Sequence, residues 1–302
     1  MPQVGNHISV CICTFKRPAL LAGLLEKLLE QKTDGLFTYS IVVADNDAGQ
    51  SAKAVVTSFE HKSSIPISYH HEPEQNIALA RNTALKNAHG DLAAFIDDDE
   101  FPSDDWLLTM LRALHEHNAD GILGAVRPFF EGVPPEWLRN GRFWEYAVFP
   151  TGTVLKWTQG RTGNFLFRLK AVKDRNAAFD PRFGSGAEDQ DFFRRMIEKG
   201  CIFKYCGEAV VHEYVPPVRW KRTFLLRRAL LRGKVALHHP TSKAKSIVKS
   251  LLAVPAYTAL LPFLLVVRHD IFMRFLIKDF DHIGKLIAAC GIDIVRQKYV
   301  TE

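Results

Sequence analysis

Short apolar segments alternate with helical patterns through the first part of this sequence, and the alternation limits the folds that it can adopt. Four segments are predicted strands: Ile8–Cys13, Ile41–Ala44, Ile67–His70 and Ala93–Ile96. Three segments have helical spacing: Pro18–Leu29, Asn76–Ala88 and residues 103–115, with Ser103 as the expected N-cap and Asp104 and Asp105 in the first turn. Strands separated by such helices form βαβ units, so we predict an α/β fold with a mainly parallel central sheet.

Polar clusters follow three of these strands at the point where each strand ends. They are residues 14–17 (Thr-Phe-Lys-Arg), 45–47 (Asp-Asn-Asp) and 97–100 (Asp-Asp-Asp-Glu). Ligands of open parallel sheets bind beyond the carboxyl ends of the strands, so we expect the three clusters to share one rim of the sheet. Basic residues beside carboxylates suit a nucleotide whose phosphates are bridged by a metal ion.

The third cluster follows directly on the apolar residues Phe95 and Ile96. Taken alone, such an acidic run is compatible with a helix N-terminus, a solvated loop or a divalent metal site. Its position favours the metal site, because buried neighbours keep Asp97 from bulk water and clustered carboxylates raise one another's pKa unless a cation neutralises them. Carboxylate oxygens of this kind are ligands for Mg²⁺ or Mn²⁺.

The pattern is less regular after about residue 120. Ile122–Val126 is a further predicted strand, and residues 127–160 are rich in Pro, Gly and Trp. Long irregular segments in compact domains are often functional loops. Trp137, Trp144 and Trp157 therefore either stack on a sugar or a lipid, or close the hydrophobic core.

The cysteines and the N-terminus indicate a reducing compartment. The five cysteines are Cys11, Cys13, Cys201, Cys206 and Cys290. Their odd number and scattered spacing match neither a zinc site nor a disulfide framework, so we predict free thiols. The first ten residues lack the basic patch and apolar run of a signal peptide, which predicts a cytosolic body.

Four motifs, in this order along the chain, resemble the family 2 glycosyltransferases, which have the GT-A nucleotide-sugar fold. They are ISVCICTFKRP, VVADNDA, AFIDDDE and GAEDQDFFRRM. NIALARNTAL together with AFIDDDE is similar to bacterial exopolysaccharide glucosyltransferases of the succinoglycan type. The resemblance covers roughly residues 6–215. It implies a GT-A catalytic domain over 1–215, a Rossmann-like nucleotide-sugar-binding fold, followed by a helical membrane-association region over 216–302.

The resemblance implies a UDP-sugar site at the carboxyl ends of the strands. Residues 14–17 supply backbone donors and cations for the uridine and diphosphate, and Asp45 accepts the uracil N3–H. Asn76 and Arg81 belong to the segment that relatives place beside the base and ribose. The implied donor-binding residues are Thr14, Phe15, Lys16, Arg17, Asp45, Asp47, Asn76, Arg81, Asp97 and Asp98.

The resemblance also implies a divalent metal ion, Mg²⁺ or Mn²⁺. By analogy Asp97 faces the ribose and sugar, while Asp99 binds the ion that bridges the diphosphate. His212 follows the predicted strand Ala209–Val211, where many relatives present a histidine to the same ion. The implied metal ligands are Asp99, Asp97 and His212.

Catalysis by such an enzyme needs a general base, because the acceptor hydroxyl loses its proton as it attacks the anomeric carbon. The resemblance assigns this role to Asp189, the second acid of the pair in GAEDQD, and an assisting role to Glu188. The same two acids also suit the start of a helix, where negative charge is favourable. A single displacement inverts the anomeric centre, so an α-linked donor yields a β-linked product.

The C-terminal region has the opposite charge to the body. Residues 214–302 contain sixteen Lys and Arg against five Asp and Glu, and no acid occurs between Tyr214 and His269. Such a change of sign indicates an anionic partner, either nucleic acid or an anionic membrane. Over residues 219–232 the aromatic side chains Trp220 and Phe224 share one helical face, as in helices that lie on membranes.

An uncharged run, Ser250–Val267, follows the basic segment. Its eighteen residues are close to the length of a membrane span, and Pro255 and Pro262 are expected to kink it. The run is compatible with an interfacial or re-entrant element, a spanning helix, or a buried or dimer-forming helix. Ile271–Cys290 is predicted to be a further amphipathic helix.

These features together predict an inverting glycosyltransferase that moves a sugar, glucose by resemblance, from a UDP-sugar to a polyprenyl-diphosphate-linked oligosaccharide. It would act in bacterial surface or exopolysaccharide synthesis at the cytoplasmic face of the inner membrane, as a peripheral or monotopic protein without a nucleic-acid partner. Homodimerisation stays open. The alternatives are a nucleic-acid-binding protein that uses its basic tail, and an inactive transferase-like scaffold.

Overall fold

The computed structural model describes residues 6–237 and 243–292 of the chain, which form two compact units. The first unit contains the residues up to Pro128 with Tyr146–Gly184 and Glu188–Tyr214. The second contains Phe129–Glu145, Ser185–Ala187 and the residues from Val215 onward. Residues 129–145, which lie inside the predicted catalytic domain, thus belong to the second unit by their contacts.

An eight-stranded mixed sheet forms the centre of the first unit. Its strands are β1 (Asn6–Thr14), β2 (Phe37–Asp45), β3 (Ile67–His71), β4 (Leu92–Asp97), β5 (Glu100–Pro102), β6 (Gly121–Phe129), β7 (Phe165–Arg168) and β8 (Phe203–Tyr214). Their order is β3-β2-β1-β4-β7-β6-β8-β5. The pairs β2–β3, β1–β2 and β1–β4 are parallel, as the βα alternation predicted. The pairs β4–β7, β6–β7 and β5–β8 are antiparallel, so the parallel pairs all lie among β1, β2, β3 and β4.

Nine α-helices lie in the described residues. They are α1 (Pro18–Leu29), α2 (Lys53–Glu60), α3 (Ile77–Lys86), α4 (Trp106–Glu116), α5 (Glu136–Gly141), α6 (Glu188–Glu198), α7 (Arg222–Ala236), α8 (Lys243–Val267) and α9 (His269–Ala289). Helix α1 begins at Pro18, whose fixed backbone angle and missing N–H suit a first turn. Helix α3 begins one residue after Asn76, which caps it.

The prediction of Ser103 as the N-cap of the fourth helix was wrong. Helix α4 begins at Trp106, and the Ser103 hydroxyl donates instead to Asp105 Oδ1 at 2.6 Å. The free backbone N–H of Leu107 in the first turn donates to Gln31 Oε1 at 3.1 Å. Gln31, which follows α1, therefore provides the capping acceptor that was predicted to come from Ser103.

Alternating side chains of the central strands supply two separate hydrophobic cores. Ile8, Val10 and Ile12 of β1 face the leucines of α1 together with α4. Cys11 faces the other way, into a core that is rich in phenylalanine. The rings in that core include Phe95, Phe165, Phe167, Phe179, Phe192, Phe193 and Phe203. The period-two alternation of a strand covered on both faces produces this division.

Asn164 joins several elements of the first unit from a fully buried position. Its Oδ1 accepts a hydrogen bond from Trp106 Nε1 at 2.7 Å, and its Nδ2 donates to the carbonyls of Ala125 and Ala209, each at 2.8 Å. Its φ of 56° lies in the left-handed region, which asparagine tolerates better than most residues. One side chain thus connects α4, β6 and β8.

Glycines bring α7 and α9 of the second unit into backbone contact. A Cβ at Gly233 would lie 2.2 Å from the carbonyl oxygen of Asp281, and one at Gly284 would lie 2.4 Å from that of Leu230. These distances are too short for any side chain, so both crossing points require glycine. Trp144 is buried in the core of this unit beside Phe224, as expected for a residue that closes a core.

Helix α8 is continuous through Pro255 and Pro262 and packs on α9. Its 25 residues make it long and apolar enough to cross a membrane, and only 6% of its most apolar 18-residue segment is buried. Leu252, Phe263 and Val266 are 71, 72 and 87% exposed. Few soluble proteins leave such a face to water. The alternative of a buried helix therefore does not describe α8 within this chain.

We expect Asn164→Leu to lower the stability of the first unit by about 3 kcal/mol or more, because a buried N–H and two buried carbonyls lose their partners. The thermal midpoint should fall by about 10 °C in differential scanning fluorimetry. Asn140→Leu changes an exposed asparagine and serves as the control. Equal midpoints for the two variants would show that the Asn164 bonds contribute nothing to stability.

Candidate functional site

The polar clusters at the strand ends meet as the sequence predicted. Thr14, Asp45 and Asp97 are the last residues of β1, β2 and β4. Thr14 is paired in register with Asp45, and Cys13 with Asp97. Adjacent parallel strands bring their carboxyl ends to one edge, so this rim is where a ligand would bind.

Arg17 neutralises two of the aspartates that follow β4. Its Nη1 lies 2.9 Å from Asp98 Oδ1 and 3.1 Å from Asp99 Oδ2. Thr14 Oγ1 donates to Asp98 Oδ2 at 2.7 Å. Burial raises the pKa of Asp98 to about 6 although Arg17 opposes the shift. The carboxylates of Asp98 and Asp99 are thus held inward by an arginine of the same rim.

Asp97 is the accessible member of the acidic run. Its side chain is 46% exposed, against 5 and 8% for Asp98 and Asp99. Arg81 Nη2 lies 3.6 Å from Asp97 Oδ1. Loss of water contacts raises the pKa of Asp97, Arg81 opposes this shift, and the charges of Asp99 and Asp189 add to it. A cationic ligand would relieve this unfavourable charge.

The second pair of acids begins α6, and its members differ in their surroundings. Glu188 is buried and forms an ion pair with Arg81 Nη1. Asp189 is half-buried, and its Oδ1 accepts the N–H of Gln190 at 2.7 Å. Burial raises the pKa of Asp189, with Arg81 opposing. Asp189 is close enough to Asp97 for the two charges to interact, so both lie at one site.

The carboxylate of Asp45, predicted to bind uracil, accepts hydrogen bonds from donors of the protein itself. Its Oδ1 accepts the N–H of Asp47, and its Oδ2 accepts the N–H of Ala52 and the hydroxyl of Tyr69 at 2.9 and 3.0 Å. The residue is fully buried. These bonds fold the turn between β2 and α2. Asp47 lies closer to the surface, 3.9 Å from Lys16 Nζ.

Asn76 and Arg81, the residues predicted beside base and ribose, also have internal partners. Asn76 Oδ1 accepts the N–H groups of Ala78 and Leu79, and its Nδ2 donates to the carbonyl of Pro181 at 3.0 Å. The side chain of Arg81 is 8% exposed and lies between Asp97 and Glu188. Their internal contacts make Asn76 a helix cap and Arg81 the link from Asp97 to Glu188.

Lys16 is the exposed residue among residues 15–17, which follow β1. The Lys16 side chain is 63% exposed, its φ is 55°, and its Nζ lies 5.3 Å from the centre of the Phe15 ring. The Lys16 ammonium is therefore available to a ligand at the rim, with an aromatic face beside it.

The predicted metal ligands do not assemble into a group of three. His212 is exposed on β8, where it is paired in register with Phe101 of β5. Among residues 6–237 and 243–292, no three His, Cys, Asp or Glu side chains are placed to hold an ion. Mg²⁺ often binds through one or two carboxylates and completes its shell with substrate phosphates. Asp97 is accessible for that manner of binding, whereas Asp99 is 8% exposed and held by Arg17.

Sequence reasoning missed the role of Glu100, the fourth acid of the run. Glu100 is buried, and its Oε2 accepts the backbone N–H of Asp97 at 3.1 Å. Burial, with the charges of Asp97 and Glu213, raises its pKa well above the usual value. A Cβ at Gly163 would lie 2.7 Å from Glu100 Oε1 and 2.9 Å from Asp97 Oδ2, so a side chain there would displace these two carboxylates. The four consecutive acids were the signal available in the sequence.

Comparisons with known proteins agree with the motifs. Residues 9–175 match the family described as Glycosyl transferase family 2. The sequence is 36% identical over 235 residues to the succinoglycan biosynthesis protein ExoM of Rhizobium meliloti (strain 1021), which covers 78% of this chain and 75% of that protein. It is 24% identical over 248 residues to a chondroitin synthase of Pasteurella multocida (strain Pm70), covering 72% of this chain and 25% of that protein.

The solved structures show the fold. The crystal structure of S. aureus TarS 1-349 in complex with UDP superposes with a TM-score of 0.54 at 18% sequence identity, covering 96% of this chain and 94% of that chain. The structure of the same fragment in complex with UDP-GlcNAc also gives 0.54. The GT-A fold predicted from the motifs is therefore confirmed.

We expect the protein to lose stability as the pH rises above 4.5, the ordinary pKa of a glutamate, and through the raised pKa of Glu100. The folded-state pKa of Glu100 exceeds its unfolded value, so the folded protein binds more protons in this range and deprotonation opposes folding. Glu100→Gln keeps the acceptor for the Asp97 N–H without the charge. It should raise the thermal midpoint by several degrees at high pH and have little effect at low pH.

The control for this experiment is Glu116→Gln, which changes an exposed glutamate at the end of α4. Midpoints of the three proteins are measured across the same pH series. A Glu100→Gln variant with the same pH slope as the Glu116→Gln variant would show that Glu100 carries no unfavourable charge.

Proposed function

Because this chain belongs to glycosyl transferase family 2, we propose that it is an inverting transferase of a sugar, glucose in the first instance, from a UDP-sugar. The acceptor would be a polyprenyl-diphosphate-linked oligosaccharide of bacterial surface or exopolysaccharide synthesis. One observation supports this proposal above the others. Asp97 and Asp189 interact electrostatically, are only partly buried and have raised pKa values, whereas Asp98, Asp99 and Glu188 are buried against arginines.

The donor site would use the strand-end rim. Lys16 is exposed beside it, next to the half-buried Phe15 ring, and Asp97 is its accessible carboxylate. TarS, which shares the fold, has been crystallised with UDP and with UDP-GlcNAc, which supports a uridine nucleotide here. Asp45 would act by shaping the turn that carries Asp47, which leaves Asp47 as the carboxylate nearer to the base.

A divalent ion would be held by Asp97 and Asp99 together with diphosphate oxygens. When bound, it would supply Lewis-acid stabilisation of the leaving diphosphate. Asp99 would have to share its carboxylate between that ion and Arg17, which contacts Oδ2. His212 is the remaining predicted ligand, on strand β8, which pairs with β5.

Asp189 would accept the proton of the acceptor hydroxyl. A base works best when its pKa approaches the working pH, and burial shifts the pKa of Asp189 in that direction. Glu188, paired with Arg81, would position the first turn of α6 and keep Arg81 beside Asp97. A direct attack of the hydroxyl on the anomeric carbon needs no enzyme nucleophile, which is why inversion is expected.

The acceptor and the location are inferred from α8 and from the relative named in succinoglycan biosynthesis. A polyprenyl-linked acceptor stays in the membrane, so its enzyme gains from an apolar surface of its own. We place the protein at the cytoplasmic face of the inner membrane, as a peripheral or monotopic protein. A nucleic-acid-binding function has no use for the exposed apolar residues of α8.

We expect Asp189→Asn to lower turnover by about 10²–10⁴-fold and to leave the affinity for UDP within about twofold, because the base acts on the acceptor. The measurement is UDP release by the full-length protein in detergent, with Mn²⁺, a panel of UDP-sugars and a membrane lipid extract. Repeating it with a chelator tests the metal ion.

Asp174→Asn, an exposed aspartate outside the site, is the matched control and should retain wild-type turnover. Equal turnover of the Asp189→Asn variant and the wild type would remove Asp189 from catalysis. UDP binding without turnover of any UDP-sugar by the wild type would instead support the inactive scaffold.

We expect Val266→Glu to reduce the membrane-bound fraction of the full-length protein by at least about tenfold, because a charge on the apolar face of α8 opposes insertion. The measurement is flotation with phosphatidylcholine–phosphatidylglycerol vesicles. Val148→Glu changes a valine of the first unit that is 72% exposed and should behave as wild type. Identical flotation of both variants would contradict a membrane role for α8.

A further inference from the structure

A cavity of about 350 Å³ lies among α7, α8 and α9 in the second unit. Its charged lining consists of Arg232, Lys249, Lys278, Asp281, His282 and Lys285. Four of these side chains are cationic and only one is acidic. No group of the proposed donor site belongs to this lining, so the cavity has a ligand preference of its own.

Most of the positive charge in the cavity is uncompensated. Arg232 is neutralised, since its Nε and Nη2 lie 2.9 and 2.7 Å from the two oxygens of Asp281. Lys278 lies over the ring of Phe275, with Nζ 5.5 Å from the centroid. Lys249 and Lys285 form no ion pair with any residue of 6–237 or 243–292. Three lysines around one cavity favour an anion of more than one charge.

His282 is the buried polar group at the wall of this cavity. Only 9% of it is exposed, and its Nδ1 lies 2.9 Å from Ser250 Oγ. The Ser250 hydroxyl donates to the carbonyl of Ser246, so its oxygen accepts from Nδ1–H. This leaves Nε2 of His282 without a partner among the described residues. Burial and the charges of Lys285 and Lys249 lower its pKa, and an anion in the cavity would oppose that effect.

The cationic wall depends on the close approach of α7 and α9. Gly233 lies in the lining itself, and its contact with the Asp281 carbonyl brings Arg232 and Lys285 to the same cavity. Lys249 comes from the third helix, α8. The lysines therefore converge by packing of the helices, not by proximity along the chain.

The apolar face of α8 starts directly beside Lys249. Leu251 and Leu252 are 57 and 71% exposed, and the exposed face continues to Val267. A phosphate attached to hydrocarbon chains meets these two environments in this order, first cations and then an apolar surface. Free phosphate or a soluble nucleotide would use only the first.

We propose that this cavity binds the phosphate group of an anionic lipid, with the lipid's hydrocarbon chains along the apolar face of α8. The lysines pair with the phosphate oxygens, and His282 Nε2 hydrogen-bonds to the same group. The inference rests on the membrane association proposed above. It does not depend on the donor sugar, the metal ion or the role of Asp189.

The test compares two charge-matched variants of the full-length protein. Lys249→Ala with Lys285→Ala removes two cations of the cavity, whereas Arg227→Ala with Lys243→Ala removes two exposed cations of α7 and α8 outside its lining. Binding to phosphatidylcholine vesicles with and without phosphatidic acid is measured by sedimentation. Both variants lose general attraction to the anionic surface, and the cavity variant should bind at least about tenfold more weakly than the control.

Lys249→Arg with Lys285→Arg should restore binding, which separates loss of charge from loss of structure. Equal binding of the cavity and control variants overturns the proposal. A wild type that binds no vesicle, with or without phosphatidic acid, overturns the membrane association on which it rests.

A second arm identifies the source of the phosphate. Inorganic diphosphate is titrated against the protein in detergent, and the His282 ring signal is followed by NMR with His282→Gln for assignment. Weak diphosphate binding, together with phosphatidic acid vesicles that shift the His282 signal in the wild type but not in the cavity variant, supports a lipid. Tight diphosphate binding that displaces the protein from vesicles overturns the lipid assignment in favour of a free phosphate ligand.

Discussion

The site depends on the cost of placing four consecutive acids at the end of a buried strand. Charged carboxylates so close together destabilise the fold unless each finds a partner or keeps its proton. Arg17 and Thr14 hold Asp98, Arg17 also holds Asp99, and Glu100 accepts the N–H of Asp97 from a buried position. The remaining acid, Asp97, is left half-exposed with excess negative charge around it. This distribution is the physical basis on which we propose a cationic or metal-bridged ligand at the rim.

Across the site, residues that have partners within the fold differ from residues that are available to a ligand. Arg81 forms an ion pair with Glu188 and lies close to Asp97. Glu188 is thereby used within the fold, whereas Asp189 is available. Asp45 and Asn76 are likewise used within the fold, as the anchor of a turn and as a helix cap. Residues that a family pattern groups as binding residues thus include several that act by holding the others in position.

In the second unit, the basic cavity depends on close helix packing and lies next to an uncovered apolar face. Gly233 and Gly284 allow α7 and α9 to touch along their backbones. Cations from three helices consequently line one cavity, and α8 leaves its apolar side chains exposed. A basic cavity next to an apolar surface is the pairing that a lipid phosphate requires.

Local pattern was enough to predict the parallel half of the sheet, the strand-end rim, the bounds of α1 and those of α3 within two residues. Helix α4 begins three residues after its predicted start, and α2 was not predicted. Strand and helix periodicities are short-range, and parallel strands bring their ends together without further information. The antiparallel strands, the Gln31 cap of α4 and the Asn164 hydrogen bonds were not predictable in this way. Each joins residues far apart in the chain, as Arg17 and Asp98 do across 81 positions. The sequence by itself determined which acids gather at the rim. Only the tertiary structure decided which of them are neutralised, because the partners of Asp98, Asp99 and Glu188 come from other elements.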